Sequence, residues 1–475
     1  MNELKEKGVV IPDNTTGDPF VDAGNLALQA LVKRFPDKNI FDLIKFVSKI
    51  YVDDWNGKLH SIFHGSKITN PSIRGAERKK EETLKLYEKY LCYHDEQLPK
   101  QTCRICGNKG VLIKSGRNFL CLSGSGKFVN FHHSHEEGVQ ICPFCLTRLF
   151  FLPLTLIYLG SNLAIIDCNS DSLKQFWLQE TFNKNLDSIG RNLSKGVLKY
   201  KYGNPINAIF NMASDIITGN PGKLKDETLL LYHFSNYGAA PGCNIHSIPN
   251  PVFKYMNYVI NHCGKDWYIF INRYYRIKKS EWDSVNQYWL KSGKHPEKIE
   301  KNDYLNNANI VFERLIANKT ILPLLCRFFK ELSGNHKQSF NILLADKYVM
   351  EVLKMKKEQV SLIKKIADVV YEIAKNEGNL KKYLTKFEGA SKAYQLRHIL
   401  LKVIKQNYIN GNKKPVCRLD EYVDYLFPDG QYWGEVRDML IIYLYEKMHD
   451  EDIKIEVDDK ELEITETENI TLTSI

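Results

Sequence analysis

Apolar residues recur at helical spacing near the start of the chain. In residues 22–34 (DAGNLALQALVKR) and 39–52 (NIFDLIKFVSKIYV) they return every three or four positions, which predicts two helices separated at Pro36. Asp22 and Asn39 stand where a side-chain oxygen can cap a helix start. Residues 76–94 place Leu84, Tyr87 and Leu91 on one stripe and predict a third helix, while the Gly-, Asn- and Ser-rich stretch 54–75 reads as loop. Farther on the pattern changes. LAIIDC (163–168), TLLLYHF (228–234) and WYIFINRYY (267–275) are short apolar or aromatic runs that predict strands, with a helix over 172–190. From about Asn302 the helical period returns. Val360, Ile363, Ala367, Val370 and Ala374 form a stripe within 357–375, and helices follow over 390–409 and 434–448, with turns at Asn410-Gly411 and Pro428-Asp429-Gly430.

These patterns predict an α+β protein in five segments. A mainly helical N-terminal part (1–98) precedes a Gly-, Cys- and His-rich module with two CxxC pairs (99–147), read as a zinc-binding insertion. A mixed α/β domain (148–301), a C-terminal helical bundle (302–449) and an acidic tail (450–475) complete the chain. The most apolar stretch, Leu149 to Ile166, is interrupted by Pro153, Gly160, Ser161 and Asn162. It falls short of the ~18 uninterrupted apolar residues of a spanning helix and reads as buried core, so no membrane is expected among the partners. The opening MNELKEKGVVIPDN lacks the apolar centre of a secretory signal. Eleven cysteines without export point to reduced thiols and metal ligation, in a cytoplasmic setting.

Charge adds a second theme. Residues 450–475 hold ten acidic and two basic side chains, a net of −8, which leaves +18 on residues 1–449 of a chain whose total is +10. A body that basic attracts polyanions, of which nucleic acid is the commonest; the plainer reading is solubility.

The strongest local signal is Cys103-Arg-Ile-Cys106-Gly107 followed, 35 residues later, by Cys142-Pro-Phe-Cys145. Each pair can turn two thiolates toward one ion, and two pairs complete a tetrahedral shell for Zn2+. Gly107 suits the tight turn behind a ligand sulfur. The second pair runs into LTRLFFLPLTL, which would fasten the metal loop to the core. The separation exceeds the ~15 to 20 residues of compact four-cysteine fingers, so the intervening segment has content of its own. His132, His133 and His135 lie within it as alternative ligands, and a redox or catalytic-zinc role remains open beside the structural one. Cys92 and Cys121 read as ordinary buried thiols.

Signatures of catalysis are missing. There is no phosphate-binding GxxxxGK[ST], no GxSxG elbow, no HExxH and no HxE with PCxxC, so the sequence reads as that of a binding protein. Three stretches mix the side chains that contact phosphates and stack or read bases. KGVLKYKYGNP offers Lys195, Lys199, Tyr200, Lys201 and Tyr202. NRYYRIKKSEW offers Arg273, Arg276, Lys278 and Lys279, and the loop FSNYGAAPGCNIHSIPNP (234–251) offers Asn236, Asn244 and His246. Each also reads as a solvated face whose tyrosines cover core. A zinc-stabilised nuclease and a protein-interaction scaffold are the rival readings.

CRICG and CPFC, the opening TGDPFVDAG (16–24) and the loop FSNYGAAPGCNIHSIPNP together resemble the CXXC–CXXC family of CRISPR-associated proteins, the large subunits of the type I-B Cascade surveillance complex. Chain length and a helical C-terminal third agree, so the resemblance spans nearly the whole chain. It implies a noncatalytic subunit of an antiviral complex that holds a CRISPR guide RNA and target double-stranded DNA. Such a subunit recognises the protospacer-adjacent motif and helps recruit a helicase-nuclease. Its other partners would be the backbone, 5′-handle and small subunits of the complex. Cys103, Cys106, Cys142 and Cys145 match the family's zinc ligands. Guide pairing supplies most of the sequence specificity in such machines, leaving the protein phosphate contacts and a short base-reading element.

Overall fold

Helix α1 (Pro19–Arg34) starts with a cap one turn earlier than the sequence pattern predicts. Asp18, not Asp22, caps it: its carboxylate accepts the N–H groups of Phe20 and Val21 at 2.9 Å, with Pro19 as the first helical residue. Asp22 turns back instead and accepts from the Thr16 backbone and hydroxyl (both 2.8 Å) and the Gly17 N–H (3.1 Å), which fixes the entering loop. In this computed structural model the described residues are 9–92, 101–124, 127, 135, 137–220, 224, 227–235, 241–333, 337–412, 414–427 and 432–453. They group into two compact units, one of residues 1–216 with 227–248, the other of 217–226 with 249–475.

In the first unit α1 is followed by α2 (Ile40–Lys49), which Asn39 caps as expected and which continues as a π-helical turn to Asp54. α3 (Ala76–Cys92) comes next, then two small antiparallel pairs. β1 (Gln101–Thr102) pairs with β2 (Lys109–Gly110), and β3 (Ile113–Ser115) with β4 (Val139–Ile141). α4 (Pro143–Phe151) leads into a buried 3-10 turn and then into the main sheet. Its strands are β5 (Ile157–Leu159), β6 (Asn162–Cys168), β7 (Leu198–Lys199), β8 (Leu229–Ser235) and β9 (Gly242–Ile248). They lie in the order β7-β5-β6-β8-β9, antiparallel except for β7 beside β5. α5 (Asp171–Gly190) and α6 (Pro205–Gly219) complete the elements that begin in this unit.

The core of the unit is the meeting of α1 with α4. Every residue of α4 from Cys145 to Phe151 is buried, Arg148 included. A Cβ on Gly24 would overlap the Arg148 carbonyl, so only glycine lets the two backbones approach this closely. Tyr51 donates to the Phe150 carbonyl at 2.8 Å, and Asn185 of α5, 1% exposed, donates to the Leu154 carbonyl (2.9 Å) while accepting the Leu198 N–H (3.1 Å). One buried amide thus ties α5 to two neighbouring chain segments.

The second unit opens with α7 (Asn250–Arg273), kinked at Cys263, where the backbone leaves helical geometry. A hairpin of β10 (Ser280–Asp283) and β11 (Tyr288–Lys291) follows. Then come α8 (Lys301–Tyr304), α9 (Ile310–Ile316), α10 (Leu322–Ser333), α11 (Leu343–Glu351), α12 (Lys357–Asn376), α13 (Leu380–Glu388), α14 (Ala393–Ile409), α15 (Leu419–Glu421) and α16 (Trp433–Asp450). The five stripe residues of α12 are all buried. α16 is the bundle's central helix, buried at every position from Asp438 to Tyr445 and packed on α10, α12 and α13. Tyr443 donates to Asp346 at 2.6 Å and Tyr445 to Glu388 at 2.7 Å, and burial pushes the Asp346 carboxyl above its usual range.

The architecture is α+β, helical at both ends with small sheets and a four-cysteine module between. Two local expectations fail. Residues 267–273 are the end of helix α7, with Tyr274 as its C-cap, and not a strand: Trp267, Phe270, Ile271 and Tyr274 are buried at helical spacing while Tyr268 is partly exposed. The segment 234–251 is not one loop; Gly242–Ile248 is the edge strand β9, and Asn250 already starts α7. Among the described residues no helix is long and apolar enough to cross a membrane. The tail beyond Ile453 lies outside the described residues.

Candidate metal centre

Two short backbone devices bring the cysteine pairs together. The first is a knuckle between β1 and β2. Gly107 takes φ +72°, its N–H returns to the Cys103 carbonyl at 3.1 Å, and the Cys103 N–H reaches Asn108 at 2.9 Å. A residue with a Cβ is strained at that φ, which is why glycine stands behind the ligand pair. The second is the junction of β4 with α4. Cys142 occupies the N-cap, Pro143 the first helical position, and the Cys142 sulfur accepts the Cys145 N–H at 3.5 Å. A bond from the Arg104 N–H to the Gln140 carbonyl (3.0 Å) and one from the Cys142 N–H to the Cys103 sulfur (3.3 Å) join the two devices.

The result is a cluster in which the Cys103, Cys106, Cys142 and Cys145 sulfurs all lie within 4.8 Å of one another, Cys106 and Cys142 at 3.7 Å. Cys106 is half-buried and the other three are buried. No cysteine of the chain is in a disulfide. The thiols act on one another: hydrogen bonds from Cys142 and Cys145 hold Cys103 far below the usual thiol range. The same contacts push Cys142 up to about 12 and Cys145 higher still. A cation at the centre would remove that conflict by accepting all four sulfurs as thiolates. The arrangement is compatible with a four-cysteine metal site, and α4 carries it directly into the core.

Residues 107–141 do carry content of their own, as the long separation requires: β2, β3 and the turn at 116–122, where the His64 N–H reaches the Arg117 carbonyl at 3.0 Å. His132 and His133 lie outside the described residues, and His135 is not among the clustered ligands. Cys92 and Cys121 are buried, as expected; burial pushes the Cys121 thiol up to about 12.

The nucleic-acid candidates scatter more. Lys195, Lys199 and Lys201 are exposed, but Tyr202 is only 5% exposed and Tyr200 is half-buried, its hydroxyl bonded to Asn211 at 2.7 Å. Tyr200 stands against the Trp177 ring at 6.3 Å and against the Tyr202 ring at 5.9 Å, so both tyrosines are engaged in packing within the unit. Arg273 is also turned inward. It pairs with Glu331 at 2.9 Å beneath the Tyr274, Trp282 and Trp289 rings, which makes it a packing residue of the second unit. Arg276 pairs with Glu313 at 3.2 Å. Asn236 lies outside the described residues, while Asn244 and His246 are on β9, opposite His233 and Leu231. The rings of His233 and His246 are 6.4 Å apart.

Lys278 and Lys279 are exposed, and the hairpin register adds neighbours that a linear reading misses. Ser280 pairs with Lys291, and the Ser292 N–H bonds the Lys279 carbonyl at 3.0 Å, so exposed Lys291 and Lys294 flank the same end of the hairpin. The signal was present in the turn: Asp283 accepts the N–H groups of Val285 and Asn286, and Gln287 takes φ +60°, closing two aromatic strands on each other. No family model matches the chain, and no curated protein matches it.

Proposed function

We propose that the protein is a zinc-stabilised, noncatalytic large subunit of an RNA-guided CRISPR surveillance complex. It binds guide RNA and target duplex DNA beside the backbone, 5′-handle and small subunits, takes part in recognising the protospacer-adjacent motif, and helps recruit the helicase-nuclease. One observation carries the reading. The two most specific motifs of the family resemblance, TGDPFVDAG and the second CxxC pair, are parts of a single packing device. Asp18 and Asp22 of the first shape the start of α1, Gly24 lets α1 close on α4, and Cys142 and Cys145 open α4 at the metal cluster. That distant motifs share one contact is compatible with their belonging to one family core, and this is what supports the reading. The exposed lysines of the β10–β11 hairpin and of 195–201 supply phosphate contacts.

Zinc suits the site. Four thiolates at about 2.3 Å from a tetrahedral ion stand about 3.8 Å apart, close to the 3.7 Å between Cys106 and Cys142, and soft sulfur donors favour zinc over the hard cations. Full coordination by protein leaves no open position for substrate, which makes the role structural. Elemental analysis of the purified chain is expected to give one zinc per molecule; a metal-free folded chain defeats the assignment. Purification from cells carrying the native gene is expected to bring down a small CRISPR RNA with several Cas subunits. Recovery of the chain free of RNA and of these partners would falsify the functional proposal.

A further inference from the structure

Six of the nine large hydrophobic side chains most exposed in the second unit fall between residues 394 and 423, so the exposure is local and not a general property of the bundle. Four of them, Tyr394, Leu401, Tyr408 and Ile409, are on α14, at 59 to 74% exposure. Tyr394, Leu401 and Tyr408 are seven residues apart and share one face along about 20 Å of helix. Lys402 and Lys405 are exposed on the same side, and neither makes an ion pair with a described residue. The opposite face, through Leu396, Leu400 and Val403, is buried in the bundle. A helix apolar on both faces is built to be covered on both.

Segment 454–475 of this chain fits as the cover. It holds seven acidic and two basic residues, net −5, and its aliphatic Ile455, Val457, Leu462 and Ile464 alternate with or flank Glu456, Asp458, Glu461 and Glu463. Lysines beside leucine and tyrosine on one surface match carboxylates beside isoleucine and leucine on the other. A phosphate backbone would answer the lysines and leave Leu401 and Ile409 bare. The segment leaves α16 in the same unit, and 22 residues extended reach about 70 Å, several times the length of α14. Tethering also raises its local concentration to the millimolar range, so a weak contact is populated.

We propose that residues 454–475 dock on the exposed face of α14 in their own chain. This stands apart from the CRISPR reading, since it needs no nucleic acid or partner subunit. The test is carbodiimide coupling of the full-length chain, which joins lysine amines to carboxylates in contact, with the products mapped by mass spectrometry. Amides from Lys402 or Lys405 to Glu456, Asp458, Asp459, Glu461 or Glu463 are expected within the monomer. They are expected to disappear in a Leu401→Asp, Tyr408→Asp double variant, whose outward positions spare the bundle. A second variant leaves the bundle untouched: Asp458→Asn, Asp459→Asn, Glu461→Gln, Glu463→Gln should speed amide exchange along α14 about tenfold, with α12 and α16 unchanged. Links formed only between chains would assign the face to a second copy and overturn the proposal. So would links to lysines elsewhere, or α14 protection that the tail variant leaves intact or that arises only on adding an oligonucleotide.

Discussion

A Cβ built on Gly24 would run into the carbonyl oxygen of Arg148, which belongs to the backbone of α4 and cannot swing aside as a side chain would. Gly24→Ala is therefore expected to cost about 3 kcal/mol by forcing α1 and α4 apart. Gly264, inside α7 with open space where its Cβ would be, is the natural control: Gly264→Ala should fall within about 1 kcal/mol of the parent. Equal midpoints for both variants in urea denaturation would refute the close-approach argument. His246 makes a different prediction. Burial, with His233 beside it, holds its pKa below the ordinary 6.5, and its Nε2 is buried without a partner. The native state therefore resists protonation, and the unfolded chain takes the proton first as pH falls. Its contribution is present in full above 6.5 and is lost below it. Stability should decline as pH falls through 6.5, and His246→Gln should flatten that slope; an unchanged slope would show that other groups set it.

At the level of elements, Cys142 has two places, one in the four-sulfur cluster proposed to hold zinc and one as the N-cap of α4. Serine is itself a good N-cap, so Cys142→Ser keeps the cap and removes only the ligand. The variant is expected to lose its metal and to expose amides across β1–β4 and the first turn of α4 to faster exchange, as Cys103→Ser should without touching any helix end. Retained metal in both variants would mean that the four sulfurs do not act as one site. The sequence made this module legible because ligand spacing is a local code: CRICG dictates its own turn, and CPFC its own helix start. The helices of the bundle were legible for a similar reason, since the stripe from Val360 to Ala374 is periodic over about four turns. WYIFINRYY misled because an unbroken aromatic run satisfies a strand or a helix equally, and only the burial of Trp267, Phe270, Ile271 and Tyr274 against exposed Tyr268 separates them. Strand β9 was hidden for the opposite reason. It is an edge strand, exposed over Gly242–Ile245, and carries too few apolar positions to announce itself. Tyr202 and Arg273 show the limit of reading charge and aromaticity from sequence, for the same side chains serve a surface or a core.

Across the whole molecule, the metal module and the helical bundle belong to different compact units. The cluster's ties run inward through α4 to α1 and the buried residues around Phe150 and Tyr51, all within the first unit. Unit two is held by its own devices, the Arg273–Glu331 pair and the buried tyrosines of α16. Ligation is coupled to folding only where the ligands are packed, so chelation should act on one unit and spare the other. Treating the full chain with a strong chelator is expected to lower the thermal transition of the first unit by roughly 5 °C or more, since several kcal/mol of site binding energy are lost. Exchange should quicken over 19–34, 101–115 and 139–151 and stay unchanged over 357–376 and 433–450. A single transition that moves as a whole, with α12 and α16 loosening together with α4, would show that the two units fold as one cooperative body. In that case a cysteine substitution would reach the bundle as strongly as it reaches its own hairpin.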